Sequence, residues 1–275
     1  MQSYQDNAQV ILAVDAGGTF LKSALFYADE RFVPLEEIPA CSNGTFSEIR
    51  NAFEAVYQDA VNEAENEITG IAFSVPGPFD YCKGIFLMEH KFQAARGVSV
   101  KEFFPEMPMT FLHDANAFLY GVAEETTGRV GGITLGTGLG AAVMIDGELL
   151  NNEKNMPLYP LWNKKFRNGI GEDFISAAAL LNACPDAKTV KEIAERNDTD
   201  DIWQDFGNAL AELLTDWQKE LNLDKIYVGG GISKAGKRFI TEKLAALPLE
   251  FVHSEHWNLY GAVKNFYMRQ FRQND

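Results

Sequence analysis

Basic residues are scarce in this chain: 24 Lys and Arg stand against 39 Asp and Glu, a formal net charge of -15 over 275 residues. A surface of that sign repels nucleic-acid phosphates and anionic membranes, so neither is expected as a partner. Cysteine is equally sparse. Cys41, Cys82 and Cys184 are scattered, which suits neither a disulfide framework nor a thiolate metal cluster and fits a reducing cytoplasm. No stretch approaches the roughly 18 uninterrupted apolar residues of a membrane span. The first nine residues lack the basic and apolar regions of a signal peptide. Low-complexity tracts and flexible linkers are missing as well. What remains is a soluble, cytoplasmic chain large enough for one big domain or two medium ones, with two favoured.

What is present begins with Val10-Ile11-Leu12-Ala13-Val14-Asp15-Ala16-Gly17-Gly18-Thr19, a run of strand formers that delivers one carboxylate into a glycine turn. The paired glycines permit close backbone approach, and residues 23–27 can pair back as a hairpin. Such a turn leaves room for an anion, although a buried strand ending in a tight turn would read the same way. A strand at 33–38 follows, and then a helix whose apolar face is Ile49, Phe53, Val56, Ala60 and Ala64. The next strand, 71–75, runs into Pro76-Gly77-Pro78, where a loop must begin. A short strand at 110–112 meets His113-Asp114, with a helix expected over 116–125. Asp114 therefore stands at a strand-to-helix junction, as a helix N-cap or as a functional carboxylate.

The opening pattern recurs. Residues 132–135, the turn Gly136-Thr137-Gly138-Leu139-Gly140 and residues 141–145 repeat strand, glycine turn and strand, which suggests a duplicated core. A Pro- and Asn-rich loop over 151–168 is followed by helices expected at 172–182 and 203–221. In the second, Trp203, Phe206, Leu210, Leu213 and Trp217 fall at helical spacing and read as core. Strand 225–228 opens into Gly229-Gly230-Gly231-Ile232-Ser233, and a final amphipathic helix begins near Leu259.

Four of these elements, in this order, carry a resemblance: Asp15-Ala16-Gly17-Gly18-Thr19, His113-Asp114-Ala115-Asn116-Ala117, Gly136-Thr137-Gly138-Leu139-Gly140 and Gly229-Gly230-Gly231-Ile232-Ser233. They are similar to the first phosphate loop, catalytic Asp motif, second phosphate loop and adenosine loop of sugar kinases of the actin and hexokinase superfamily. The branch resembled is the ROK family (repressors, open reading frames, kinases), whose glucokinases share a Pro-Gly-Pro loop, here Pro76-Gly77-Pro78, and the Asp-Ala-Asn-Ala motif. The resemblance implies an α/β fold of two ribonuclease-H-like lobes around a central cleft that closes on substrate. It places an N-terminal lobe at 1–115, a C-terminal lobe at 116–257, and a helix at about 258–275 packed back on the first. It implies ATP-dependent phosphorylation of a hexose or amino sugar with Asp114 as general base, and a homodimer.

By the same resemblance ATP phosphates would be held by Asp15, Gly17, Gly18, Thr19, Lys22, Gly136, Thr137 and Gly138, and adenosine by Gly229, Gly230 and Gly231. Asp15 would hold Mg²⁺ through water. Sugar contacts would come from Gly77, Lys91, His113, Asp114 and Glu172. Lys22 could equally be a solvated lysine, Glu172 a favourable acid in a first helical turn, and the three glycines a plain turn. Polyphosphate remains open as a donor in place of ATP.

The chain also departs from the pattern. His113 stands where the family has Asn, and Lys91 aligns with another sugar-contacting Asn. A histidine ring and an ammonium read hydroxyls differently from amides, so a substrate other than glucose is expected. The family's Gly-His and cysteine-cluster zinc segment should fall before Glu172, yet 151–168 holds no Cys and no His, so no zinc is expected. Tyr159, Trp162 and Phe166 in that loop read either as an aromatic platform or as residues the loop buries. These departures motivate an alternative function, a catalytically inactive sugar or nucleotide sensor on the same scaffold. A DNA-binding repressor would need a helix-turn-helix module ahead of the first strand, and it would carry the wrong charge.

Overall fold

Strand β1, Val10–Ala16, is buried along nearly its whole length because both its faces are covered. Val10, Leu12, Val14 and Ala16 join one apolar cluster, while Ile11 and Ala13 join another on the opposite side. Side chains alternate across a strand, so a strand covered twice needs no polar face, which is why its sequence is one continuous apolar run.

The computed structural model describes residues 9–124, 127–254 and 256–273. The chain divides into two compact units, one of Met1–Gly121, Asn152–Met156 and His256–Asp275, the other of Val122–Asn151 and Pro157–Glu255. Among the described residues no helix is long and apolar enough to cross a membrane.

In the first unit β1 pairs antiparallel with β2 (Phe20–Tyr27), which also carries β3 (Phe32–Pro34) and β4 (Ile38–Pro39). The single strand expected over 33–38 is thus two short ones. Pro34 has no N–H with which to extend the ladder, and the exposed Glu36 and Glu37 lie between the pieces. Helix α1 (Phe46–Glu63) opens on a capping box in which Glu48 N–H donates to Thr45 Oγ1 at 3.3 Å and Thr45 N–H to Glu48 Oε2 at 2.8 Å. It buries Ile49, Phe53, Val56 and Ala60, the face its periodicity marked.

Next come β5 (Ile68–Val75), the hairpin of β6 (Phe79–Asp80) and β7 (Ile85–Phe86), and β8 (Met109–His113). Strand β8 runs with no loop into helix α2 (Asp114–Val122), so Asp114 is itself the first helical residue. The sheet order is β3-β2-β1-β5-β8, with β1, β5 and β8 parallel. Their carboxyl ends bring Asp15 beside Ser74, and Val75 beside His113.

The C-terminal helix, Trp257–Gln273, lays Leu259, Ala262, Val263 and Phe266 against Ile11, Ala13, Ala24 and Ala72. It crosses α2 at two glycines. A Cβ on Gly121 would lie 2.0 Å from the Trp257 carbonyl oxygen, and one on Gly261 1.8 Å from that of Ala117, so nothing larger fits.

The second unit contains β9 (Arg129–Leu135), β10 (Leu139–Ile145) and β11 (Glu148–Leu149), antiparallel in turn. Strands β12 (Lys165–Phe166) and β13 (Gly169–Ile170) form a small hairpin that begins inside the expected loop. Phe166 is buried there against Phe174 at 5.4 Å, while Tyr159 and Trp162 remain exposed. Helices α3 (Gly171–Phe174) and α4 (Ala177–Ala183) replace the single helix expected over 172–182. The chain leaves helical geometry at Ile175, and Ser176 caps α4 by accepting from Ala179 N–H at 3.1 Å. Helix α5 (Val190–Glu195) has too few apolar residues to declare itself in sequence. Helix α6 (Asp200–Leu221) buries Trp203, Phe206, Leu210, Leu213 and Trp217.

Strand β14 (Lys225–Gly229), short helices α7 (Gly236–Phe239) and α8 (Glu242–Ala245), and β15 (Leu249–Phe251) complete the unit. Its sheet runs β11-β10-β9-β14-β15, with β14 parallel to β9. The triplets β2-β1-β5 and β10-β9-β14 therefore share one plan: a hairpin whose first strand also pairs with a later parallel strand.

Candidate active site

The first glycine turn follows Asp15 at the end of β1. Gly17 N–H donates to the Asp15 carbonyl oxygen at 3.1 Å, and a Cβ on Gly17 would sit 2.7 Å from the Phe20 carbonyl oxygen, so the tight turn requires glycine. Among the described residues, no backbone acceptor takes up the N–H groups of Gly18 and Thr19, and the Thr19 side chain is exposed. Free amides in a tight turn suit the oxygens of an anion.

Asp15 itself is held by a network. Ser74 Oγ donates to its Oδ1 at 2.6 Å and Asn258 Nδ2 to the same oxygen at 3.1 Å. Burial pushes its carboxyl above the ordinary range. Those two hydrogen bonds oppose the rise, the charge of Asp114 adds to it, and Lys22 reduces it. Lys22 is the cross-strand neighbour of Asp15 and is paired with Glu37 at 3.3 Å.

Asp114 is shifted the other way. Its low-polarity seat pushes the carboxyl up, but His113, the Ala115 amide and the Lys91 charge outweigh that, and the net shift is downward. His113 Nδ1 lies 2.9 Å from Asp114 Oδ1. Ala115 N–H donates to Asp114 Oδ1 at 2.7 Å and reaches His113 Nδ1 at 3.2 Å. The Asp114 side chain nevertheless keeps 38% of its surface exposed. The result is an ionised, reachable carboxylate at the head of a helix, able to accept a proton.

Neighbours of this carboxylate come from three loops. Tyr81, buried, sets its ring 5.8 Å from the His113 ring and donates its hydroxyl to the Val75 carbonyl oxygen at 3.0 Å. Burial, then the charge of Asp114, raises its phenol well above the usual range. Gly77 faces the same histidine: a Cβ there would meet the Met156 methyl at 2.8 Å and His113 Nε2 at 3.4 Å. Lys91 lies along the first glycine turn, its Cε 2.9 Å from where a Gly18 Cβ would be.

In the second unit the turn between β9 and β10 carries Gly136, Thr137 and Gly138, with Thr137 exposed. Glu172, in the first turn of α3, accepts from Leu139 N–H at 2.9 Å, and its Oε2 would lie 2.4 Å from a Cβ on Gly138. Its carboxylate thus braces the turn. The break between α3 and α4 serves the same loop, because Ala177 N–H donates to the Gly136 carbonyl oxygen at 2.9 Å.

Gly229 ends β14 and is buried. Gly230, at φ +91°, packs so close to Leu135 that a Cβ would be 2.4 Å from its carbonyl oxygen. A Cβ on Gly231 would meet nothing within 4 Å. A side chain at Gly230 is therefore excluded by packing, whereas the Cβ direction of Gly231 is open.

Residues 11–154, just over half of the chain, match the model of the ROK family. The chain belongs to the ROK family. A search of curated proteins finds no match. Among solved structures this ROK protein is similar to a glucokinase from Parabacteroides distasonis at 19% identity, over 98% of this chain and 99% of that one, with a TM-score of 0.74. It is also similar to a ROK family glucokinase from Streptomyces griseus crystallised with glucose and AMPPNP, at 18% identity over 93% and 98%, TM-score 0.72. A third is a ROK family transcriptional regulator, described as a homologue of the Escherichia coli MLC protein, at 17% identity over 95% and 78%, TM-score 0.69. At these identities the likeness is one of fold, the α/β architecture that these proteins share.

Three residues of this ROK protein's site escaped the sequence reading: Ser74, Asn258 and Ser42. Ser74 left a trace, as the lone hydroxyl in the apolar run Ile71-Ala72-Phe73-Ser74-Val75. Asn258 and Ser42 left none, since each matters only through a partner distant in sequence.

Proposed function

We propose that this chain transfers a phosphoryl group from ATP to a hydroxyl of a sugar, with Asp114 as the general base. The observation that carries the reading is the setting of Asp114. It is partly exposed at the head of α2, and His113, Ala115 and Lys91 bias it toward its ionised form. Such a carboxylate can orient an acceptor hydroxyl and take its proton as the phosphoryl group moves. Membership of a family whose folds include glucokinases supports the same chemistry.

The first glycine turn offers the amides of Gly18 and Thr19 to phosphate oxygens, and the second turn offers the same chemistry through Thr137 and Gly138. The open side of Gly231 has room for a flat purine. Asp15 fits a magnesium ion held through water: its Oδ1 takes both protein hydrogen bonds, and a cation would relieve the repulsion with Asp114. Bound there, Mg²⁺ would neutralise phosphate charge. Gly77 and His113 would contact the sugar beside Asp114, and the imidazole in place of an amide favours a hydroxyl pattern unlike that of glucose.

The test is ADP release coupled to detection of the phosphorylated product across hexoses, amino sugars and polyols, with a parallel polyphosphate arm. One sugar converted stoichiometrically is the expected result. A second reading, a sensor without turnover, is favoured by His113 at the position of a sugar-contacting amide and by the regulator that shares the fold. Sugar binding by calorimetry with no product from any donor would establish it instead.

A further inference from the structure

Lys91 is fixed over the first glycine turn. Its side chain runs so close over the first glycine turn that Nζ would be 3.3 Å from a Cβ on Gly18. Among the described residues no carboxylate forms an ion pair with it. The backbone beneath it is anchored, because the next residue, Phe92, is wholly buried between the rings of Phe53 and Phe86 at 5.8 and 5.3 Å. Ser42 ties the two loops together: its carbonyl oxygen accepts from Phe92 N–H at 2.6 Å, and its Oγ donates to the Gly18 carbonyl oxygen at 2.5 Å. A half-buried lysine that forms no ion pair among the described residues, held over a turn with free amides and close enough for its charge to act on Asp114, is an arrangement suited to receiving an anion.

We propose that Lys91 is a catalytic residue that binds the phosphoryl group in flight, between the Gly18 turn and Asp114, rather than a donor to a sugar hydroxyl. This rests on the kinase reading above. In the step itself the acceptor oxygen forms a bond to phosphorus, and the bridge from phosphorus to the leaving nucleoside diphosphate breaks with its electron pair retained by the diphosphate. The hydroxyl proton passes to Asp114. Lys91 keeps its three protons and makes and breaks no covalent bond. It supplies a fixed positive charge where negative charge spreads over the transferring oxygens.

The experiment compares the wild-type protein with Lys91→Ala, Lys91→Asn and Lys91→Arg. Calorimetry with inorganic tripolyphosphate gives a readout independent of turnover. The expected result is an affinity at least about tenfold weaker in the Ala and Asn variants and largely kept by Arg. All variants should melt as the wild type does. In turnover, Ala should lower kcat by about 10²–10³-fold with the sugar KM changed only a few-fold. A raised sugar KM with kcat and tripolyphosphate affinity unchanged would overturn the proposal, as would a wild-type protein that does not bind tripolyphosphate. If no sugar is phosphorylated, the kinase reading fails by itself, and the tripolyphosphate comparison still decides whether Lys91 binds phosphate.

Discussion

The amide of Asn258, in the first turn of the C-terminal helix, donates to Asp15 Oδ1 at 3.1 Å. The last helix of the chain thereby completes the surroundings of a carboxylate on the first strand. Ser74 donates to the same oxygen from the neighbouring parallel strand, and Asp114 acts on it through its charge. Burial wins at Asp15 and raises its carboxyl, whereas partners win at Asp114 and lower it. In the proposed reaction the two acids would have different tasks, Asp15 to hold a cation and Asp114, kept ionised by its partners, to orient the acceptor hydroxyl and take its proton.

Asp15→Asn should stabilise the fold while it removes activity. A carboxyl raised in the native state weakens the fold wherever it is ionised, and that penalty fades as pH falls through its native pKa. The variant is expected to melt at a higher temperature than the wild type near neutral pH. The gain should shrink in acid. Thermal melts at several pH values check this, and a lower melting point at neutral pH would contradict it.

Ser74→Ala should move the acid limb of kcat/KM to higher pH. The hydroxyl stabilises the ionised form of Asp15, so its loss lets burial raise that carboxyl further. Asp114, already held low, is not expected to set this limb. A pH profile identical to that of the wild type would argue against the network.

The glycines of the turn after β14 should separate into a structural and, on the proposed reading, a ligand-facing member. Gly230→Ala places a side chain at φ +91° and 2.4 Å from the Leu135 carbonyl oxygen, and a loss of about 1–3 kcal/mol is expected in denaturant titration. A Cβ on Gly231 meets nothing within 4 Å, so in Gly231→Leu stability should hold while ATP affinity falls at least about tenfold. Equal nucleotide affinity in Gly231→Leu would exclude that loop from the nucleotide site.

Gly261→Ala drives a methyl into the Ala117 carbonyl oxygen where α2 crosses the C-terminal helix. Overpacking of this kind costs about 1–3 kcal/mol. Because the same helix carries Asn258, activity should fall with stability, and suppression of the Asp15 hydrogen bond should appear as an acid limb displaced in the same direction as in Ser74→Ala.

Much of this arrangement was legible because it is local. Asp15-Ala16-Gly17-Gly18-Thr19 announces a strand entering a tight turn, and His113-Asp114 announces a strand meeting a helix, each within a few residues. The repeat at Gly136 likewise exposed the shared plan of the two sheets. What stayed hidden depends on partners far along the chain. Asn258 answers Asp15 across most of the sequence, Ser42 joins Gly18 to Phe92, and Glu172 braces the turn at Leu139. The break at Ser176 was hidden for the same reason, since periodicity carries the helix through it and only the bond from Ala177 to Gly136 explains the interruption.

Turnover by Asp114→Asn at saturating ATP and sugar tests the central claim most directly. The substitution keeps the size of the side chain and removes its ability to take a proton. The account predicts a kcat about 10²–10⁴-fold below wild type, with ATP affinity by calorimetry preserved. A variant that still turns over at the wild-type rate would contradict it.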